Sequence, residues 1–268
     1  MTTQKTRDEA RPATLERRSF SLSRAAEYFD PGELEKLTGQ PRRDFGKVVL
    51  KELLDNALDA AEAAGRVPQV EIEVHCADGF LTLAVSDNGK GLYPEQVKKL
   101  LDFDIRTSDK AVYKTPTRGA QGNALKTILG MPHALGVDAP VFIEAHGFRH
   151  RLRAYDVPGG VVKTEYDTTP ASRQVGTHVE VTLSDLHVSS GYWAQAFALF
   201  NPHAAVKISD SGAGGEHAHP GGETARIYER RADFPSAWRK FLPTDLPSAW
   251  WFKPGDFEAL VHAHIAHD

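Results

Sequence analysis

Between residues 44 and 64 the apolar side chains recur at helical spacing. Leu53, Leu54, Ala57, Leu58 and Ala61 fall on one side of the cylinder, which predicts a long amphipathic helix that stops near Gly65. Downstream the period shortens. Leu81, Leu83 and Val85 alternate with polar neighbours in LTLAVSDNGKGL, the pattern of a half-buried strand. Strands are expected at 69–75 and 80–86, then a helix at 94–101. Residues 102–118 have mixed polarity and little period, so a mobile lid is expected there. A short helical pattern opens at Ala124 and runs to Leu129. Strands follow near 141–146, 148–156, 160–167 and 177–183. A helix at about 189–200 and strands at 204–209 and 224–229 come next, the strands separated by a glycine-rich loop at 210–223. A short helix around Ser23 to Tyr28 precedes a break at Pro31-Gly32, and a last helix is expected at about 255–266. No internal repeat is visible.

The predicted helix carries a second pattern. Glu52, Asn56 and Asp59 stand at i, i+4 and i+7. At about 100° per residue, Asn56 lies roughly 40° and Asp59 roughly 20° from Glu52. A carboxylate beside an amide on a rigid helix can position a water and hold a magnesium ion, which takes oxygen ligands. Taken alone, the stripe fits a solvated acidic face better. Asp87-Asn88-Gly89-Lys90-Gly91 ends the strand at 80–86. Asp87 can accept a hydrogen bond from an exocyclic amine such as that of adenine, and the glycines permit close backbone approach. An ordinary Asp-Asn-Gly turn would read the same way. Gly119 and Gly122 precede the helical pattern at Ala124. Free amides leading into a helix N-terminus form an anion site. The chain has no G-x-x-x-x-G-K-[ST] loop.

Composition narrows the classes. The chain has 268 residues, 41% of them hydrophobic, enough for one large domain or a domain with an appendage. Its net charge of −4 argues against general electrostatic binding of nucleic acid. The single cysteine, Cys76, excludes an internal disulfide and fits a reducing compartment. No apolar run is long enough for a membrane span, so no membrane partner is expected and the location should be cytoplasmic.

In order, E-x-x-x-N-x-x-D at 52–59, D-x-G-x-G at 87–91, a glycine loop at 119–124 and Gly176-Thr177 resemble the motifs of the GHKL ATPases: gyrase, heat-shock chaperone, histidine kinase and MutL. From about Ser21 to Ala266 the chain is most similar to the B subunit of topoisomerase VI, a type IIB DNA topoisomerase. Its lid segment Thr107-Ser108-Asp109-Lys110 and its FLPTDLPSAWWFKPGDFEALVHAHI stretch carry part of that likeness. Ala124 stands where the family has a third glycine, and GAQGNAL is closer to the MutL form.

The resemblance implies an α/β (α+β) two-layer sandwich, helices on one face of a mixed, mainly antiparallel sheet: the Bergerat ATP-binding fold. It implies ATP and Mg2+ as cofactors and Glu52 as the general base. Asn56 would coordinate magnesium and Asp59 would support the site. Asp87 would read adenine with Thr177 and a water, and Gly89 and Gly91 would admit the nucleotide. Thr107, Ser108, Lys110, Gly119, Gln121, Gly122, Asn123 and Ala124 would line the phosphates. Lys126 faces either a phosphate or solvent. ATP would close a homodimer, with the N-terminal segment around Tyr28 and Phe29 exchanged between protomers. A separate A subunit would cleave DNA. The implied layout is a flexible basic tail at 1–20, the ATP-binding domain at 21–230 and a Pro/Trp-rich extension at 231–268.

Two other classes stay open. One is a MutL-like or defence-type ATPase clamp outside any topoisomerase. The other is a nucleotide-dependent interaction module with little turnover, against which the intact Glu52 argues. Trp238, Trp250 and Trp251 fit packing of the extension better than base stacking. His217 and His219, and the His262, His264, His267 set, lack the carboxylate or cysteine neighbours a structural metal needs.

Overall fold

The computed structural model describes residues 24–103, 124–184, 188–212 and 224–232, with 254, 255 and 258. The N-terminal tail, most of the expected lid, the glycine-rich loop beyond residue 212 and the terminal helix lie outside the described residues.

Helix α1 spans Pro31–Thr38, an element the sequence reading did not expect after Pro31-Gly32. Its signals are good ones. The Asp30 side chain accepts from the Glu33 amide at 2.9 Å, Pro31 occupies the first turn, and Gly39 closes the helix at φ +67°. A 3₁₀ turn at Arg42–Asp44 leads into α2, Phe45–Ala63. Its apolar stripe is buried as expected, from Phe45 and Val49 through Leu58 and Ala61. Helix α3 covers Pro94–Lys99. Helix α4 covers Ala124–Ala134 and runs past the expected stop, with Pro132 inside it. Helix α5 covers Ser190–Phe200.

Among the described residues, eight strands form one sheet in the order β5-β4-β3-β6-β2-β1-β7-β8. They are β1 Gln69–Ala77, β2 Phe80–Asp87, β3 Val141–Ala145, β4 Phe148–Val157, β5 Val161–Pro170, β6 His178–Ser184, β7 Ala205–Gly212 and β8 Thr224–Tyr228. Strands β1 and β7 pair in parallel; every other pair in this sheet is antiparallel. The sheet is therefore mixed and mainly antiparallel, as expected.

Register separates its two faces. Val70, Ile72 and Val74 of β1, Leu81, Leu83 and Val85 of β2, Val179, Val181 and Leu183 of β6, and Val206 and Ile208 of β7 are buried on one side. Helices α2, α4 and α5 pack there and complete a single core. The other face carries polar cross-strand pairs. Among them are Lys207–Glu71 at 2.5 Å, Ser86–His178 at 2.8 Å and Arg149–Glu144 at 2.7 Å. Exposed ion pairs of this kind contribute little to stability.

The N-terminal end departs from expectation. Tyr28 and Phe29 are buried in this chain's own core. Their rings lie 5.4 and 5.0 Å from that of Phe103. A Cβ on Gly130 of α4 would meet the Tyr28 carbonyl oxygen at 1.9 Å. The chain around residues 28–29 is thus seated on α4 of the same chain.

Candidate functional site

Strand register aims Asp87 at the helix layer. It continues the series Leu81, Leu83, Val85 and stands opposite Thr177, which begins the series Val179, Val181, Leu183. The Asp87 amide donates to the Thr177 carbonyl at 2.9 Å. The amides of Gly89 (2.7 Å) and Thr177, with the Thr177 hydroxyl, donate to the Asp87 carboxylate. Burial nonetheless pushes the carboxyl up to about 6, against the pull of those donors and of Arg173. A strand-end carboxylate fixed by three donors, and still poised near neutrality, suits the capture of a hydrogen-bond donor from a ligand.

The glycines answer to the protein first. A Cβ on Gly89 would lie 2.6 Å from both the carbonyl carbon and the Cβ of Ala60. Gly89 thereby lets the loop touch the backbone of α2. Gly176, at φ +72°, would drive a Cβ to 1.8 Å from the Asp87 carbonyl oxygen, so the Gly-Thr pair is required for β6 to meet the end of β2. Gly91 adopts φ +82° beside the ring of His146, which stacks on Tyr93 with centroids 4.2 Å apart.

Residues that the sequence reading did not single out pin this loop. Arg66 donates to the carbonyls of Asn88 and Gly89 at 2.7 and 2.9 Å. The Asn88 side chain donates to Val67 O at 2.9 Å and accepts from the Gln69 amide at 3.1 Å. Arg173 donates to the Ser86 hydroxyl at 3.2 Å. Nothing in the local pattern marks Arg66 or Arg173, because their partners come from elsewhere in the chain.

The polar stripe of α2, the helix that Gly89 touches at Ala60, descends from solvent into the protein. The Glu52 side chain is 30% exposed and accepts from Lys51 at 3.0 Å. Asn56 is half-buried and Asp59 is buried. The Asn56 Nδ2 is sealed from water and has no hydrogen-bond partner among the described residues. A buried amide of that kind is open to a further partner, and its oxygen is a suitable donor for a hard cation. No group of three or more His, Cys, Asp or Glu among the described residues could hold a metal ion. A single amide oxygen such as that of Asn56 matches the way magnesium is usually held, by one or two protein oxygens with phosphates and water completing the shell.

Ala124 opens α4, as expected. Lys126 does not face solvent: it is 1% exposed, and its ammonium donates to the carbonyl of Asp102. Thr107, Ser108, Lys110, Gly119, Gln121, Gly122 and Asn123 lie outside the described residues.

A carboxylate-amide stripe on a helix, with a strand-end aspartate whose glycine loop touches that same helix, is the pattern of a class of nucleotide-hydrolysing domain. Residues 43–187 match the family described as histidine kinase-, DNA gyrase B-, and HSP90-like ATPase, and the chain belongs to that family. It is 25% identical over 208 residues to the B subunit of type 2 DNA topoisomerase 6 from Halobacterium salinarum, covering 72% of this chain and 24% of that one. The same-named protein of Natronomonas pharaonis is 38% identical over 175 residues, 60% of this chain and 21% of that one. The DNA mismatch repair protein MutL of Kosmotoga olearia is 32% identical over 139 residues, 47% and 22% of the two chains. The chain thus spans about a quarter of the length of the halobacterial relative. Among solved structures, the ATPase and transducer domains of DNA topoisomerase II from Balamuthia mandrillaris align at 19% identity with a TM-score of 0.41, covering 60% of this chain and 46% of that one. No helix among the described residues is long and apolar enough to cross a membrane.

Proposed function

We propose that the chain is the Mg2+-dependent, ATP-hydrolysing domain of a protein like the topoisomerase VI B subunit, working as an ATP-gated dimer clamp. The observation that carries this reading is the buried Asp87 carboxylate, fixed by Gly89 and Thr177, in a loop whose Gly89 lies against Ala60 of the helix that bears Glu52, Asn56 and Asp59. Asp87 binds the adenine amine. Glu52 accepts a proton from the attacking water, at the accessible end of the stripe. Asn56 supplies an oxygen to magnesium, and the bound ion offsets phosphate charge. Asp59 supports the stripe from within. The glycine loop at 119–124, with Thr107, Ser108 and Lys110, lines the phosphates. Phosphoryl transfer depends mainly on such positioning and charge stabilisation.

The ATP-binding domain runs over 21–230 in this reading. The protein is cytoplasmic and joins the nucleoid when engaged on DNA, which it meets through a DNA-cleaving A subunit. The test pairs two measurements on the full chain. Calorimetry with ATP should report binding that Asp87→Asn weakens about tenfold or more, and a phosphate-release assay should report Mg2+-dependent turnover that Glu52→Ala lowers by about 10²–10⁴-fold. Unchanged affinity in the first variant would refute the adenine assignment.

A MutL-like clamp is the second reading, favoured by the 32% identity to the Kosmotoga protein and by Ala124 in the GAQGNAL loop. Co-purification of a DNA-cleaving partner with the full-length protein decides for the topoisomerase.

A further inference from the structure

Helix α5 has the wrong outer surface for a solvated helix. Its sequence, SGYWAQAFALF, holds no charged residue, and its inner face is already spent on the core through Ala194 and Ala198. Tyr192, Ala196, Leu199 and Phe200 stand at i, i+4, i+7 and i+8 on the outer side. Tyr192 is 69% exposed, Leu199 62% and Phe200 81%. Gln195 is the one exposed amide on that side; a helix with so little polar surface is normally covered, and a contiguous apolar patch on a folded surface marks a contact.

The path of the chain points to the occupant. After β8, the amides of Arg231 and Ala232 both donate to the carbonyl of Pro202, at 2.7 and 3.0 Å. Pro202 lies two residues beyond the end of α5, so the chain is led back to the foot of this face. The sequence that departs from there is rich in apolar bulk: Phe234, Trp238, Phe241, Leu242, Trp250 and Trp251. Its tether makes the local concentration of this segment high, so modest contacts suffice to hold it.

We propose that the outer face of α5 is the docking surface for residues 233–253 of the same chain, whose aromatic side chains cover Tyr192, Leu199 and Phe200. The inference is independent of the nucleotide reading, since α5 supplies none of the residues assigned to that site.

The full chain tests it. With Cys76→Ser as background, Leu199→Cys should react with a maleimide about tenfold more slowly than the same thiol in urea, because protection reports a closed contact. Adding Trp250→Ala and Trp251→Ala should restore fast labelling. In a second measurement, Phe200→Asp should raise tryptic cleavage after Arg239 and Lys240 about tenfold, with an unchanged mass by light scattering. Labelling of Leu199→Cys at the rate of an open thiol overturns the proposal. So does cleavage that Phe200→Asp leaves unaltered. A parent dimer that Phe200→Asp turns into a monomer also overturns it and gives the face to a second copy.

Discussion

Asp87 and Thr177 hold each other from both sides: the Asp87 amide donates to the Thr177 carbonyl at 2.9 Å, while the Thr177 amide and hydroxyl donate to the Asp87 carboxylate. Even so, burial keeps the folded carboxyl at about 6, above its ordinary 3.8. The sign follows from linkage. A group whose folded value is raised contributes stability that is complete below the unfolded value and is lost as pH rises through the folded one. The ligand-free protein therefore carries a cost on the order of 3 kcal/mol at neutral pH. In urea unfolding the parent should gain stability as pH falls from 7 towards 4 through this group, and Asp87→Asn should remove that part of the pH dependence. The same variant should lose tenfold or more in ATP affinity, because a hydrogen bond to a charged acceptor is worth about 1.5–3 kcal/mol.

Glu52 should separate binding from chemistry. Its substitution by Ala leaves the adenine end untouched, so nucleotide should still bind. Turnover should fall by about 10²–10⁴-fold, the range for loss of a general base. Single-turnover phosphate release under saturating ATP is the measurement, and turnover at the parent rate would move the base elsewhere.

Gly176→Ala and Gly89→Ala should both destabilise, for different reasons. The first forces a left-handed residue against the Asp87 carbonyl. The second drives a methyl into Ala60 of α2. Each should cost on the order of 2–4 kcal/mol in denaturant unfolding. Ala60→Gly should recover part of the loss in the second case, because one of its clashing atoms is the Ala60 Cβ, and none in the first.

Acid should act through His150. It is buried, its Nδ1 bonds Tyr166 Oη at 2.9 Å, and burial with Lys98 nearby holds it below the usual histidine value. A histidine depressed in the fold contributes stability above its unfolded value near 6.5 and loses it as pH falls towards the folded value. With Asp87→Asn as background, which removes the opposing titration of that carboxyl, unfolding midpoints should drop below pH 6.5, and less steeply when His150→Gln is added.

Nucleotide-driven association bears on the N-terminal segment. With a non-hydrolysable ATP analogue, light scattering should report a dimer for the full chain and a folded monomer when residues 1–23 are removed. Removal of residues 1–30 should instead unfold the protein, since Tyr28 and Phe29 leave the core with it. Dimerisation that survives the shorter deletion ends the exchange idea.

Helix α2 was legible because periodicity alone decides it: Leu53, Leu54, Ala57, Leu58 and Ala61 are buried and Glu52 is not. Asp87 was legible because strand alternation carries its direction. Helix α1 was not, since Pro31-Gly32 reads as a turn until Asp30 is seen to cap it. The end of α4 was missed because Pro132 looks like a stop. Lys126 could not be read at all. Its acceptor lies 24 residues away in sequence, and local pattern does not record such a partner. The clashes that demand Gly89 and Gly176 likewise join distant segments.

The position of β6 has a consequence for how the molecule is made. It lies between β3 and β2, and it comes late in the chain. Until it emerges from the ribosome, β1–β2 and β3–β4–β5 are two separate hairpin assemblies with open edges facing one another. Each exposes backbone hydrogen-bonding groups that a nascent neighbour could capture. Insertion of β6, a single strand of seven residues, joins them and, through Thr177 at its threshold, completes the partner of Asp87 in the same step. Joining of the two strand groups and acquisition of the Asp87 partner are thus one event during synthesis, before β7 and β8 add to the edge at β1, so a chain stalled before residue 177 should have neither.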